Sequence, residues 1–313
     1  MKDMNMSFSE REASCVQVFS GSGPYWHLYT PGIESQIIFA CEEDFRSGMN
    51  ILAWNAARFP DVGILTFELM NNHVHFILSG SKDRCLEFFE SYGRRLRLIY
   101  TRNRKYADFS KFTGNILEIT DLKSLRNEIV YVNRNGYVVN PQCTPYSYPW
   151  GAGAIFFNPF LKHLMRNVPL FSDMAINTKR KIVQSKKIKL PNGYKVFEGI
   201  IIPSSYCMIS EAEELFRNAH HYFSLLTKNF ESYSEIAKSI ADNMFLTDSE
   251  MYGAISAFCY KSYGIRNPNM LTPEQKLEAA RKMCYDYKAS NRQIRNILKL
   301  DASAVDALFP KVQ

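Results

Sequence analysis

Hydrophobic spacing divides the first half of the chain into segments typical of strands and segments typical of helices. Short aromatic or alternating runs predict strands over residues 25–30, 63–70, 73–79 and 115–119. Helical spacing, for example of Phe45, Met49 and Leu52, predicts helices between and after these strands, over residues 42–59, 82–102 and 121–137. This order predicts an α+β fold, an antiparallel sheet with helices on one face.

The second half of the chain has a different pattern. Beyond Trp150 helical spacing predominates, and residues 197–204 predict a short strand or an extended loop. Side chains typical of helix N-caps precede the last predicted helices, at Thr272, at Ser290 and at either Asp301 or Ser303. We therefore expect a mainly helical C-terminal region after the α+β part.

The chain has 313 residues, enough for two or three domains. The patterns predict a flexible arm over residues 1–22 and an α+β domain over 23–151. A mainly helical region over 152–268 and a C-terminal helical segment over 269–313 are expected to follow.

Composition and charge narrow the function classes. The chain is 46% hydrophobic with a formal charge of +7 and a pI near 8.9, which favours a polyanionic partner. Its seven cysteines include no C-x-x-C pair, which indicates reduced thiols rather than a zinc site or disulfide framework. No signal peptide and no membrane-spanning run is recognised, so we expect a soluble, cytoplasmic protein with no membrane partner.

The first candidate chemistry is a pair of histidines, His73 and His75, just after the predicted turn at Asn71 and Asn72. Residues two apart in a strand project from the same face, so the two imidazoles can converge on one metal ion. Two unrelated histidines in a strand are the alternative. Imidazole does not by itself fix which metal is bound.

The second candidate chemistry lies on the helix predicted after Asp121. Tyr131 and Asn135 are four residues apart and therefore share a helix face. The Asn135 amide could be a third metal ligand, with the phenol of Tyr131 close to the ion as a nucleophile. Alternatively, Tyr131 anchors the helix by its ring and Asn135 caps the helix before Gly136.

These motifs together resemble a known family. Residues 71–75 (Asn-Asn-His-Val-His) and, after a helix and a strand, residues 131–135 (Tyr-Val-Asn-Arg-Asn) resemble the HUH single-tyrosine transposases, in particular the REP-associated and related insertion-sequence branch. Residues 148–151 loosely match the family's later Tyr-x-Trp-Ser segment. The resemblance covers residues 25–151, and Gly136 departs from it, since the family has proline there.

The resemblance implies a ferredoxin-like core and a divalent ion, Mg²⁺ or Mn²⁺, held by His73, His75 and Asn135. The substrate it implies is single-stranded DNA, with hairpin-containing ends. Tyr131 would attack a phosphodiester to give a 5′-phosphotyrosine and a free 3′-hydroxyl. Tyr137 is the rival nucleophile, although six residues along a helix it faces away from Tyr131.

Basic residues suggest where DNA would bind. Arginines and tyrosines interleave along and just after the helix at 82–102, as in single-strand grooves, and the candidates are Arg94, Arg95, Arg97, Arg102, Arg104 and Lys105. A solvated helix face is the alternative. Near the C-terminus, the segment with Arg292 and Arg295 followed by a helix from Asp301 resembles a helix-turn-helix, and a plain helical hairpin is the alternative.

Two other function classes stay open from the sequence. A catalytically silent, regulatory DNA-binding protein could use the same fold, and a metal-dependent nuclease could use bound water instead of Tyr131. The chain could act as a monomer or a homodimer. Covalent attachment of a single strand to the protein would separate the first hypothesis from both alternatives.

Overall fold

The computed structural model describes residues 6–32, 36–140, 142–228, 230–240, 242 and 245–310. The chain forms two compact units, Met1–Phe223 and Ser224–Gln313. The sequence placed a boundary at residue 151, but residues 152–223 belong to the first unit. They pack onto its core: Met208 donates its backbone N–H to the carbonyl oxygen of Ile64 at 2.8 Å.

A four-stranded antiparallel sheet organises the first unit. Its strands, in chain order, are β1 (Tyr25–Tyr29), β2 (Gly63–Leu69), β3 (Val74–Ser79) and β4 (Asn115–Ile119). Their order across the sheet is β2-β3-β1-β4, so β1 lies between β3 and β4. All four predicted strands are confirmed to within one residue at either end. A two-stranded ribbon of β5 (Val196–Phe197) and β6 (Ile200–Ile201) lies where a short strand or an extended loop was expected.

The helices of the first unit are α1 (Phe8–Ser22), α2 (Glu42–Ala56), α3 (Lys82–Arg102), α4 (Leu122–Val139), α5 (Pro159–Leu164), α6 (Ile176–Val183), α7 (Ile209–Glu214) and α8 (Ala219–Lys228), the last of which contains the boundary between the units. The three predicted helices of the α+β part correspond to α2, α3 and α4. Cys41 precedes α2, whose N-terminal turn is acidic, as the positive end of a helix dipole favours.

Helices lie on both faces of the sheet, which corrects the expectation of one covered face. On one face, the ring of Phe76 contacts Phe88, Phe89 and Tyr92 of α3, with ring centroids 5.8–6.4 Å apart. The opposite face packs against α4, where Thr66 of β2 donates its hydroxyl to Oδ1 of Asn133. Strand alternation places Phe67 and Phe76 toward α3, and Thr66, Glu68 and His75 toward α4.

The predicted flexible arm is instead helix α1 from Phe8 onward, and residues 1–5 lie outside the described part. Ser7 and Glu10 form a reciprocal capping box at its start. Glu12 pairs with the buried guanidinium of Arg126 on α4 at 2.7 Å and with Arg217 at 3.2 Å. These ion pairs attach α1 to the core. The sequence did not predict this helix, because its hydrophobic residues are only weakly periodic.

The second unit is helical, as expected for the C-terminal region. Its remaining helices are α9 (Phe230–Ser239), α10 (Asp248–Tyr263), α11 (Pro273–Tyr285), α12 (Asn291–Leu298) and α13 (Ala302–Leu308). The predicted N-caps Thr272, Ser290 and Asp301 all accept backbone N–H groups at the helix starts. Within the part of the chain that the structure describes, no helix has the length and apolar character that a membrane crossing needs.

Candidate active site

The face of the sheet under α4 carries buried polar side chains. His27, Thr66, Glu68 and His75 are each at most 1% exposed. Glu68 pairs with His75 across β2 and β3, and His75 pairs with Tyr29 across β3 and β1. Directly opposed residues of antiparallel strands share a face, so these groups form one polar surface in the interior. A buried polar surface of this kind needs partners, and α4 supplies them.

The two predicted metal-binding histidines lie together at the start of β3. The ring centroids of His73 and His75 are 4.9 Å apart with nearly perpendicular planes. Nδ1 of His73 is 2.7 Å from Oδ1 of Asn72, and Nδ1 of His75 is 3.0 Å from Nε2 of His27. With both Nδ1 atoms engaged, Nε2 is the atom through which each ring would bind an ion.

Tyr131 lies beside this pair on α4. Its ring centroid is 5.9 Å from that of His75 and 6.3 Å from that of His27, with edge-on contacts in both cases. Its side chain is 0% exposed. The rival nucleophile Tyr137 is also buried, in the last turns of the same helix. Tyr131 therefore contacts one histidine of the predicted pair, His75, and one that the sequence analysis did not single out, His27.

Asn135 lies one turn after Tyr131, as predicted, but it does not cap the helix. Helix α4 continues through Gly136 to Val139. A Cβ atom at Gly136 would collide with the ring of Tyr148 and with the Glu68 carboxyl, so glycine permits this close approach. The Asn135 amide is buried, and its Nδ2 has no hydrogen-bond partner among the described residues. A half-turn of the amide about its Cβ–Cγ bond exchanges the two atoms, so the oxygen can occupy the position of Nδ2.

Glu68 is a buried carboxyl on the same face that the sequence analysis did not single out. Its side chain is fully buried, and burial raises the pKa of its carboxyl well above the usual range. Its Oε2 has no hydrogen-bond partner within the described residues. Carboxylates are costly to bury without a partner, so this position favours the neutral acid in the metal-free chain.

His27 and Glu128 were also missed. Nδ1 of His27 lies 2.8 Å from Oε2 of Glu128 on α4. Glu128 precedes Tyr131 by three residues and Asn135 by seven, so all three share a helix face. That spacing was available in the sequence. The position of His27 opposite His75 was not, because it depends on the pairing of β1 with β3.

The residue run 148–151 lies along the outer edge of β2. The Tyr148 hydroxyl donates to the carbonyl oxygen of Leu69 at 2.8 Å, and Trp150 accepts the Leu69 backbone N–H at 2.8 Å. Gly151 forms a bridge to Glu68. Residues 148–151, which loosely match a motif of the family, therefore contact β2, the strand that carries Glu68.

The predicted DNA-binding residues on and after α3 mostly have contacts within the chain. Arg95 and Arg102 donate to backbone carbonyls at residues 183 and 184, Arg97 donates to the Phe112 carbonyl, and Lys105 contacts Asp44 at 2.7 Å. Arg94 is exposed and lies 3.7 Å from Glu90, and Arg104 is exposed in a left-handed backbone conformation. Nothing in these contacts tests their predicted role.

In the second unit, Arg292 is 72% exposed and 3.8 Å from Asp248, and Arg295 is half-buried. Lys299 follows the last residue of α12 as its C-cap and has a left-handed φ of 51°. Helix α13 begins three residues later. Glycine is the residue that adopts this conformation most readily. A left-handed residue at this position is common at helix C-termini, and the helix-turn-helix stays a prediction.

Comparisons with known proteins gave no relatives. No family model matches the chain, and neither the curated proteins nor the solved structures include a match.

Proposed function

We propose that this chain is a metal-dependent single-strand DNA transesterase with a ferredoxin-like HUH core. The observation that carries the proposal is the cluster of His73, His75 and Tyr131 on one buried polar face, with neighbouring ring centroids 4.9 and 5.9 Å apart. The strand order β2-β3-β1-β4, with helices after β1 and β3, supports the ferredoxin-like topology.

The donor chemistry of the cluster fits a divalent ion. A histidine that binds metal through Nε2 almost always donates its Nδ1–H to an acceptor, and His73 has such an acceptor in Asn72. The buried amide of Asn135 adds a neutral oxygen ligand on the helix that carries Tyr131. Mg²⁺ or Mn²⁺ bound there would polarise the phosphodiester and stabilise the charge that develops on it.

In the proposed reaction the phenolic oxygen of Tyr131 attacks the scissile phosphorus. A bond forms between that oxygen and phosphorus, the bond from phosphorus to the 3′-oxygen breaks, and the 3′-oxygen leaves with a proton as a hydroxyl. The 5′-phosphate stays on Tyr131 as a phosphodiester. Because one ester replaces another, a second 3′-hydroxyl can reverse the step without an external energy source.

Burial of Tyr131 places a condition on this reaction. A side chain that is 0% exposed cannot contact a DNA strand, so the segments that cover it must move when DNA binds. The same burial favours a second candidate function, a catalytically silent DNA-binding protein on the same fold. In that protein Tyr131 would only pack against the histidines.

Covalent trapping separates the two candidates. The substrate is a single strand from the flanks of the gene, labelled at its 3′ end because the 3′-side fragment remains on the tyrosine. With Mn²⁺, we expect a labelled band at the mass of the protein plus this fragment on a denaturing gel. Tyr131→Phe should remove the band and keep single-strand binding, and Tyr137→Phe should retain both. Strand binding with no adduct in the wild type would favour the silent protein, and adduct-free cleavage would favour attack by water.

A further inference from the structure

We propose that His27 and Glu128 are positioning residues that fix the ring orientation and tautomer of His75 for metal binding. The inference rests on the proposed metal site and adds two residues that would not touch the ion. It concerns a chain of contacts that runs from α4, through β1, to β3.

The contacts are short and enclosed. Glu128 Oε2 lies 2.8 Å from His27 Nδ1, and His27 Nε2 lies 3.0 Å from His75 Nδ1. The side chains of His27 and His75 are 0% exposed, and that of Glu128 is 12% exposed. Water therefore has little access to either contact, which strengthens the hydrogen bond between the two rings and the electrostatic attraction between His27 and the Glu128 carboxylate.

One assignment of protons satisfies every link. A neutral His75 that binds metal through Nε2 must carry its proton on Nδ1, so it donates to Nε2 of His27. A neutral His27 then carries its own proton on Nδ1, where it faces the Glu128 carboxylate. The reverse assignment would point the lone pair of His27 Nδ1 at a carboxylate oxygen, and the two would repel. Glu128 thus selects the His75 tautomer that leaves Nε2 for the ion.

The position of Glu128 also ties the metal site to the nucleophile. Glu128 lies on α4 one turn before Tyr131, and both side chains reach the rings on the sheet. A shift of α4 along the sheet would therefore displace the carboxylate and the phenol together. The two histidines next to Tyr131 are held by the same helix that supplies the attacking oxygen.

The test measures metal affinity, which does not depend on DNA cleavage. Mn²⁺ is titrated into metal-free, full-length protein, and free Mn²⁺ is followed by electron paramagnetic resonance. We expect His27→Leu and Glu128→Ala each to weaken Mn²⁺ binding by about 10–100-fold, the usual effect of removing such an outer partner. Glu128→Gln keeps an acceptor oxygen of the same reach and should recover part of the loss.

Tyr29→Phe is the matched control, since Tyr29 lies two residues from His27 on the same face and pairs with His75. It should bind Mn²⁺ like the wild type. His73→Ala tests the underlying site: wild-type affinity in that variant would overturn the proposed metal site itself. Loss of binding in His73→Ala with wild-type affinity in folded Glu128→Ala would overturn only the positioning role. If His27→Leu does not fold, the Mn²⁺ affinities of wild type, Glu128→Gln and Glu128→Ala decide whether the positioning role holds.

A spectroscopic readout gives the tautomer directly. In protein loaded with diamagnetic Zn²⁺, imidazole ¹⁵N resonances should show His27 protonated at Nδ1 and His75 protonated at Nδ1. In Glu128→Ala the Nδ1–H form of His27 should lose its predominance. A His27 that is protonated at Nε2 in the loaded wild type would contradict the proposal.

Discussion

The two faces of the central sheet are built from the same strands but have different chemistry. On the face toward α3, Phe67 and Phe76 stack at 6.2 Å in an apolar layer. The face toward α4 carries Glu68 and His75, which are the chain neighbours of Phe67 and Phe76. Both are equally buried but polar. Burial of apolar side chains on the first face stabilises the fold. Burial of polar side chains on the second face costs free energy but excludes water from these groups.

This contrast supports placing the proposed site on the face under α4. Buried polar groups that only stabilise a fold are normally satisfied within it. The face under α4 instead retains a carboxyl oxygen on Glu68 and an amide nitrogen on Asn135 that have no hydrogen-bond partner in the described ranges. Toward α3 the buried hydroxyl of Tyr92 likewise has no partner there, so the face under α4 is distinguished by burying imidazoles and a carboxyl. We therefore expect substitutions on the two faces to affect different measurements.

The largest expected effect is on cleavage by variants of the polar face. His73→Ala and His75→Ala should each reduce DNA cleavage and adduct formation to background, because each removes a metal ligand. EDTA should do the same to the wild type, with Mn²⁺ or Mg²⁺ restoring activity. The check is a cleavage assay alongside thermal unfolding of each variant. Full activity in chelator would show that the histidines do not bind a required ion.

The matched change on the apolar face is Phe76→Ala. It removes a ring packed against Phe88 and Tyr92, so the free energy of unfolding should fall by about 3–5 kcal/mol. Protein that remains folded should still bind Mn²⁺, because no donor has changed. Denaturant unfolding and Mn²⁺ titration of the same sample measure both. Loss of metal affinity in folded Phe76→Ala would contradict the assignment of metal binding to the polar face alone.

A smaller, pH-dependent effect is expected at Glu68. Its folded-state pKa is raised, so the folded chain binds more protons than the unfolded chain above the ordinary pKa of about 4.5. Stability is therefore greatest below that pH and falls as pH rises toward the folded-state pKa, by up to about 1.4 kcal/mol per pH unit. Glu68→Gln should remove this slope when unfolding is measured in EDTA. It should be more stable than the wild type at pH 7 and similar to it near pH 4. Parallel pH profiles would contradict a buried, neutral Glu68.

The smallest effect concerns a region outside the sheet. If α12 and α13 bind duplex DNA, Arg292→Ala and Arg295→Ala should each weaken binding and lower the salt slope by about one. Arg281→Ala, an exposed arginine of α11, is the control and should leave the slope unchanged. Single-strand cleavage should survive in all three variants. An unchanged salt slope in Arg292→Ala and Arg295→Ala would favour a plain helical hairpin.

The sequence predicted the strands, the main helices and the C-terminal caps because each depends on local spacing. The histidine pair and Tyr131 were also found locally, from a strand motif and a helix motif. Their proximity depends on α4 packing over β3, which no local pattern encodes. The same limit explains the error about covered faces, since alternation in a strand does not reveal which helix covers which side.

The residues that were missed are those whose role depends on register. His27 is an ordinary strand histidine until β1 is paired with β3, and Glu68 is an ordinary strand carboxyl until β2 is buried. Helix α1 was read as a loose arm because its attachment depends on Glu12 contacting Arg126, more than a hundred positions later. Long-range pairing of this kind is fixed by the fold as a whole.

The most direct test of the central claim is to locate the DNA on the protein. Trypsin cleaves after Arg126 and Arg134, so Tyr131 is the only tyrosine in the peptide 127–134, and Tyr137 falls in the next peptide. After reaction with a single strand and nuclease trimming, mass spectrometry should find a nucleotide on the peptide 127–134. A nucleotide on the peptide that contains Tyr137, or strand cleavage with no modified peptide, would contradict the assignment of Tyr131 as the nucleophile.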